Sequence, residues 1–392
     1  MTQWMQQLKR RTPLGWLQLS HEKGRLLVAI SGIAFADILM FMQLGFQNAL
    51  YDSNTRLNRS LQTDLVLVSP QARNMQNLST FSRRRLYQAM DIPGVEGAEP
   101  FYSNTIVWKN PKTRREATVQ LIGFNPDRSA FSLPEVNQQL NQLKLPDTVV
   151  FDRGSRGDYR ETILAVNANN QTVTTEIERR TITVAGLFTL GASFGADGTL
   201  MTSDQNFLLM FPRRESTSIS LGLVYLTPGA DEEKVAEAMR SHLPNDVQVM
   251  THAEFTKFEE NYWKSSSPIG FIFGLGTAMA FVVGVVIVYQ VLSTDVNAHL
   301  KEYATFKAMG YDNRYLLTVV FEEAVILAVL GFIPGAILPL GLYSLAAKAT
   351  ALPIYMTALR AILVLILTLI MCGMSGAIAT RKLQSADPAD MF

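Results

Sequence analysis

The chain has 392 residues, 48% of them hydrophobic, with a formal net charge of +1 and one cysteine. Charge this close to neutral argues against a dedicated nucleic-acid binder, which would carry a basic domain or stripe. The lone cysteine, Cys372, excludes an intramolecular disulfide framework, so any extracytoplasmic part must hold together by its core alone.

In chain order, residues 1–25 come first. Leu14, Trp16, Leu17 and Leu19 stand among Gln18, Ser20, His21 and Glu22, which suits a short interfacial helix on the cytoplasmic surface. Residues 26–46 then form an apolar run of the roughly 20-residue length that crosses a bilayer as a helix. It is too long and begins too late for a signal-peptide core, so it is expected to remain as an anchor. Further runs at 268–292, 316–345 and 358–379 predict three more spans, making four in all. Only Asp37, Glu322 and Glu323 put acidic side chains into these stretches.

Lys9, Arg10, Arg11, Lys23 and Arg25 precede the first span, Lys301, Lys307 and Arg314 lie between the second and third, and Arg381 and Lys382 follow the fourth. All three basic clusters fall on one side, so the positive-inside rule makes both termini cytoplasmic, together with the loop 293–315 and the tail 380–392. The segment 47–267 and the short link 346–357 then face the periplasm, in a multi-pass protein of the cell inner membrane.

The helical pattern continues beyond the first span through Phe46, Leu50, Leu57 and Leu61, and Phe255, Phe258, Tyr262 and Trp263 make a similar stripe before the second. A large α+β domain is thus expected on two helical stalks that extend membrane helices. Asp64–Ser69 reads as a strand, Ser82–Met90 as a helix, Asp91-Ile92-Pro93-Gly94 as a turn, and Glu99–Trp108 and Ala117–Phe124 as strands. A second unit of the same kind has strands at Ser218–Leu226 and Asp246–Met250 around a helix at Asp231–His242, whose start is signalled by Pro228, Gly229 and an acidic first turn. Two such units suggest one subdomain split by a β-rich insertion at about 126–215.

Catalytic signatures are missing. No Gly-Lys dipeptide occurs, which rules out a Walker A phosphate loop within this sequence. There is no His-Glu-x-x-His and no Cys-x-x-Cys. The four histidines are scattered, and the carboxylates between 47 and 267 read as solvated surface groups. No cofactor, metal or catalytic residue is therefore assigned, and the chain is read as non-catalytic.

Asp37 is costly mid-span and is read as a helix-packing hydrogen-bonding group. Glu322 and Glu323 sit two turns into the third span; Gly270 and Gly274, with Ala280 and Gly284, place small residues on the second for close helix contact. Pro334 and Pro339 should kink or loosen the third span. The loop between the second and third spans carries Leu300, Tyr303, Ala304, Phe306 and Lys307 on a short amphipathic helix capped by Gly310, suited to docking in another protein's groove.

At Glu302–Gly310, reading Glu-Tyr-Ala-Thr-Phe-Lys-Ala-Met-Gly, the sequence resembles the permease family of the macrolide exporter and the cell-division protein FtsX. Glu322 or Glu323 with Gly331, Pro334 and Gly335, and the tail Ala386-Asp387-Pro388-Ala389-Asp390, extend the likeness. Trp16-Leu17-Gln18-Leu19, Phe35–Phe46 and Ser193–Gly198 are closest to its DevC branch, the cyanobacterial permeases of heterocyst glycolipid export. The resemblance implies two permease copies with two separate ABC ATPase subunits that bind ATP and magnesium. It also implies a periplasmic membrane fusion adaptor and, through it, a TolC-like outer-membrane channel. Motion of the ATPase would pass through the loop to the outer domain, driving efflux of a lipid or other amphiphile without a pore through four helices. Leu300, Glu302, Tyr303, Phe306, Lys307, Met309 and Gly310 become the ATPase-coupling residues. Two relatives in kind remain open: an FtsX-like regulator of a cell-wall hydrolase, and a lipoprotein-releasing permease, against which the DevC-like N-terminal run argues.

Overall fold

A computed structural model describes residue 21 and residues 23–167, 173–177, 180–300, 302, 305, 309 and 313–380. The interfacial segment before residue 21 and the tail beyond 380 lie outside them. In chain order the elements are α1 (Lys23–Ser60), β1 (Leu65–Val68), β2 (Phe81–Ser82), α2 (Arg84–Met90), β3 (Val95–Lys109) and β4 (Glu116–Phe124). Next come α3 (Pro134–Asn137), α4 (Leu140–Leu143), β5 (Thr148–Asp152), α5 (Arg160–Asn167), β6 (Val173–Ile177), β7 (Arg180–Phe188), β8 (Thr199–Ser203) and α6 (Asp204–Met210). The chain continues through β9 (Ser218–Ile219), β10 (Leu221–Leu226), α7 (Glu232–His242), β11 (Gln248–Thr251), α8 (His252–Asn261) and a π-helical turn at Tyr262–Ser266. It ends in three apolar helices, α9 (Pro268–Ala298), α10 (Asn313–Thr350) and α11 (Ala358–Ala379).

Two compact units divide these elements, one of residues 49–270 with 348–353 and the other of the remaining residues. Within the second unit, α1, α9, α10 and α11 are the candidate spans, each long and apolar enough to cross a membrane. Helix α1 is unbroken over 38 residues, so its N-terminal part belongs to the helical unit and its last twelve residues, from Ala49, to the other. Helix α10 runs through Pro334 and Pro339 without interruption. The second predicted stalk is built differently: α8 gives way to the π turn, and Ser267 is extended (φ −88°, ψ 129°) before α9 begins. Pro268 explains the break, because its ring disfavours helical geometry in the preceding residue.

The α+β unit is organised by a nine-stranded mixed sheet in the order β11-β1-β10-β3-β4-β8-β5-β7-β6. The first five strands pair antiparallel, and β8 joins them by running parallel to β4, with Leu121 opposite Leu200. Strands β5 to β8, all from the 126–215 segment, therefore continue the same sheet. Both faces are covered, which is why β1 is apolar at every position (Leu-Val-Leu-Val, all buried). Leu65 and Leu67 join one core with Leu86, Trp108, Phe207 and Met239, while Val66 and Val68 join the other with Leu57, Phe131 and Phe255.

Edge strand β11 is closed off by its neighbours. Arg240 Nε of α7 donates to the Val249 carbonyl (3.0 Å), Glu254 Oε2 accepts from the Thr251 amide (2.8 Å), and the two side chains pair with each other (2.6 Å). Thr251 and Glu254 also form the capping box that starts α8.

Candidate functional site

The chemistry-bearing groups fall in three places. Within the helical unit, α1 is the seam along which the other three helices pack. Gly32 abuts Ile287 of α9, Gly284 of α9 meets Ala36 and Met371, and Gly331 of α10 receives Ile33. A Cβ on Gly335 would stand 2.7 Å from that of Asp37. Tyr343 of α10 donates its hydroxyl to the Phe41 carbonyl beside Gly45. Small residues here let backbones approach closely enough for dispersion contacts, the main source of helix association where no hydrophobic drive exists.

Asp37 is fully buried in this seam and accepts a 2.7 Å hydrogen bond from Thr368 Oγ1 of α11. Thr368 also donates to the carbonyl one turn back in its own helix, so its hydroxyl is shared between two acceptors. The other packing residues fall differently. Gly270 is buried against the Trp263 carbonyl of the π turn, outside the seam; Gly274 is exposed, and the nearest atom to a Cβ there is Gln47 Nε2, 3.8 Å away. Six glycines that do close on a neighbour (32, 45, 276, 284, 331, 335) differ from Gly274 only in helical phase, which local spacing does not reveal.

The second place is the end of the helical unit that carries the 299–312 loop. Glu323 is fully buried beside Asp295 of α9, itself nearly buried, while Glu322 is half-exposed. His299 Nδ1 stands 3.7 Å from Asp295 Oδ1. Of the coupling residues, Leu300 is half-buried, and Glu302 and Met309 are exposed. The Met309 amide donates to the Thr305 carbonyl (3.0 Å), one helical turn. Tyr303, Phe306, Lys307 and Gly310 lie outside the described residues.

The third place, in the α+β unit, was not legible as a site. Glu259 of α8 is fully buried: Oε1 accepts from the Trp263 indole (2.8 Å) and Oε2 from the Met75 amide (2.7 Å). Burial without a counter-cation pushes its carboxyl up to about 7, the two hydrogen bonds opposing that rise. Asp152, at the end of β5, is also buried and raised by desolvation, opposed by the amides of Leu190, Gly154 and Gly191 that it accepts (2.8–2.9 Å). Both had read as solvated carboxylates; no spacing marks a lone Glu or Asp as buried. Among the described residues no group of three or more His, Cys, Asp or Glu is placed to hold a metal.

Four apolar helices with a large mixed-sheet α+β domain inserted after the first define a multi-span membrane protein of permease architecture. The family models give it a lineage: residues 26–242 match the MacB-like periplasmic core domain, and residues 274–388 the FtsX-like permease C-terminal model. The chain belongs to the MacB/FtsX family of ABC transporter permeases. No curated protein matches it in sequence. Among solved structures, it is similar to the periplasmic region of MacB from Actinobacillus actinomycetemcomitans (14% identity, 52% of this chain and 94% of that one, TM-score 0.34). It is also similar to the extracellular domain of the noncanonic ABC-type transporter YknZ from Gram-positive bacteria (11% identity, 48% and 100%, TM-score 0.30).

Proposed function

We propose that this chain is the non-catalytic membrane subunit of an ATP-driven efflux complex. It passes the motion of a separate ABC ATPase, which binds the ATP and magnesium, to a periplasmic adaptor and a TolC-like duct, so that a lipid or other amphiphile is exported. The observation that carries the reading is the division of labour within the sequence. Two family models cover most of the chain, the loop 293–315 falls inside the FtsX-like one with Glu302 and Met309 exposed, and no Walker A phosphate loop occurs in this sequence. A permease sequence without a Walker A motif calls for a partner that has one, and the amphipathic sequence pattern of Leu300, Glu302, Tyr303, Phe306, Lys307 and Met309 suits docking in that partner's groove. The basic clusters support termini and loop in the cytoplasm of an inner-membrane protein, and the family pattern supports two copies. The glycolipid-like cargo rests on the DevC-like segments alone.

The test is co-purification in mild detergent of the tagged chain with the products of its neighbouring genes co-expressed, scored for an associated ABC ATPase. The double variant Glu302→Arg/Phe306→Asp reverses one charge and replaces an aromatic side chain by a carboxylate in the proposed docking segment. Association and permease-stimulated ATP turnover should both fall by more than tenfold, on the order of the 2 kcal/mol and upward that a docking hot spot carries. Normal association by the double variant would overturn the coupling assignment.

A further inference from the structure

The loop 189–198 of the α+β unit is contacted by three chain segments: the end of α1, the 69–80 loop, which α8 holds in turn, and the end of α10. From α1, Arg56 donates to the Leu190 carbonyl, and its guanidinium lies where a side chain on Gly191 (φ +97°) would have to stand. From the 69–80 loop, Gln76 packs on Gly195, while the neighbouring Met75 amide is held by Glu259 of α8, three residues before the π turn that precedes α9. The Met75 carbonyl is held in turn by Gln120 Nε2 (3.1 Å).

The third segment is the C-terminal end of α10. Arg156 spends its guanidinium on three acceptors: Asp197 Oδ1 (2.7 Å), the Ser193 carbonyl (3.1 Å) and, through Nε, the Thr350 carbonyl (2.8 Å). Thr350 is the last residue of α10, and Ala351 after it adopts the left-handed conformation (φ +54°). A helix ends in carbonyls that lack intrahelical partners and carry partial negative charge, so an arginine there satisfies both needs. A left-handed alanine is disfavoured by the contact of its Cβ with the backbone, so the turn is held there by its surroundings.

The loop itself is stiffened from within. Ser193 Oγ accepts from the amides of Gly195 and Ala196 (3.1 and 3.0 Å), the Asp197 amide donates to Thr118 of β4 (2.7 Å), and Asp152 ties Leu190 and Gly191 to β5. We infer that loop 189–198 is a mechanical junction joining the domain-side continuations of α1, α8 and α10, with Arg156 as the positioning residue that straps the end of α10 to it. Any use of the junction in transmitting motion rests on the permease reading above; the strap itself does not.

Hydrogen exchange on the full-length chain in detergent micelles tests it. With Arg156→Ala, amides of residues 346–353 and 193–197 should exchange about tenfold faster or more, the loss of hydrogen bonds to a charged group. Those of β1 and β10 should keep their protection. Arg156→Lys should restore part of the protection, because the charge at the helix end survives while the forked donor set does not. Unchanged exchange at 346–353 in a folded Arg156→Ala chain would overturn the strap. Should that variant fail to fold, Asp197→Asn, which loosens the guanidinium without removing it, must shift exchange in the same two segments, and no shift would overturn the proposal equally. Repeating the measurement with the co-purified ATPase and a non-hydrolysable nucleotide separates the two ideas. A faster-exchanging strap variant in a chain that binds no ATPase leaves the junction standing and removes the permease reading.

Discussion

Glu259 is an acid whose two hydrogen-bond donors do not offset its burial. Its carboxyl is raised from 4.5 to about 7 in the folded chain, so the folded state binds the proton more tightly than the unfolded one. The proton-linked stability is therefore fully present below pH 4.5 and is lost as pH rises through 7. The shift corresponds to on the order of 3 kcal/mol between those limits. Thermal unfolding of the full chain across pH 5 to 8 should show the midpoint falling with pH, and Glu259→Gln should flatten that slope while lowering stability slightly at pH 5. A wild-type midpoint that rises steadily over this range would contradict the assignment. Nothing in the sequence marks this residue: it stands beside Glu260 on a polar helix, and its burial comes from the Met75 loop, about 180 positions away along the chain. Asp37 was legible by contrast, because a carboxylate inside an apolar run has no solvated alternative.

At the level of elements, the four apolar helices were readable because crossing a bilayer demands a length and composition that little else demands. Their contact faces were not. The seam runs along α1 through Gly32, Ile33, Ala36, Asp37 and Gly45, and whether a glycine on α9 matters depends on the phase at which it meets that seam. Gly284 meets it and Gly274 does not. Gly284→Leu should therefore destabilise the helical unit by about 1–3 kcal/mol through overpacking against Ala36 and Met371. Gly274→Leu should be close to neutral, both read from the temperature at which detergent-solubilised protein aggregates. Equal losses for the two would mean that general glycine flexibility, rather than close packing, sets the effect. The strands of the α+β unit were readable where they pair with near neighbours in sequence, as β3 with β4 does across a short turn. The parallel pairings of β4 with β8 and β5 with β7 span long separations and leave no local trace.

For the whole molecule those parallel pairings decide how the α+β unit holds together. The 126–215 segment supplies β5 to β8, nearly half of the sheet, and its Phe131, Val136, Leu143, Val150 and Met201 fill the same core as Leu57 and Phe255. Replacing residues 126–215 with a short Gly/Ser linker should strip one edge of β4 and open both cores, leaving protein that binds hydrophobic dyes and unfolds without cooperativity. A cooperative transition in the deleted chain would mean that the remaining strands suffice for a domain. The helical unit and the α+β unit each have a core of their own, and the covalent crossings between them lie at residues 48–49, 270–271, 347–348 and 353–354.

The Arg240–Glu254 clamp on β11 bears on how this protein can be recognised. The outward carbonyl of Val249 and amide of Thr251 are already engaged, so that rim presents no row of open amides for a visiting chain to extend. A docking protein that meets it must read side chains, the arginine and glutamate themselves and the Lys257 and Phe258 beside them, instead of borrowing the backbone ladder. Recognition there would consequently be sensitive to single substitutions and to salt, and indifferent to the β-forming tendency of the visitor.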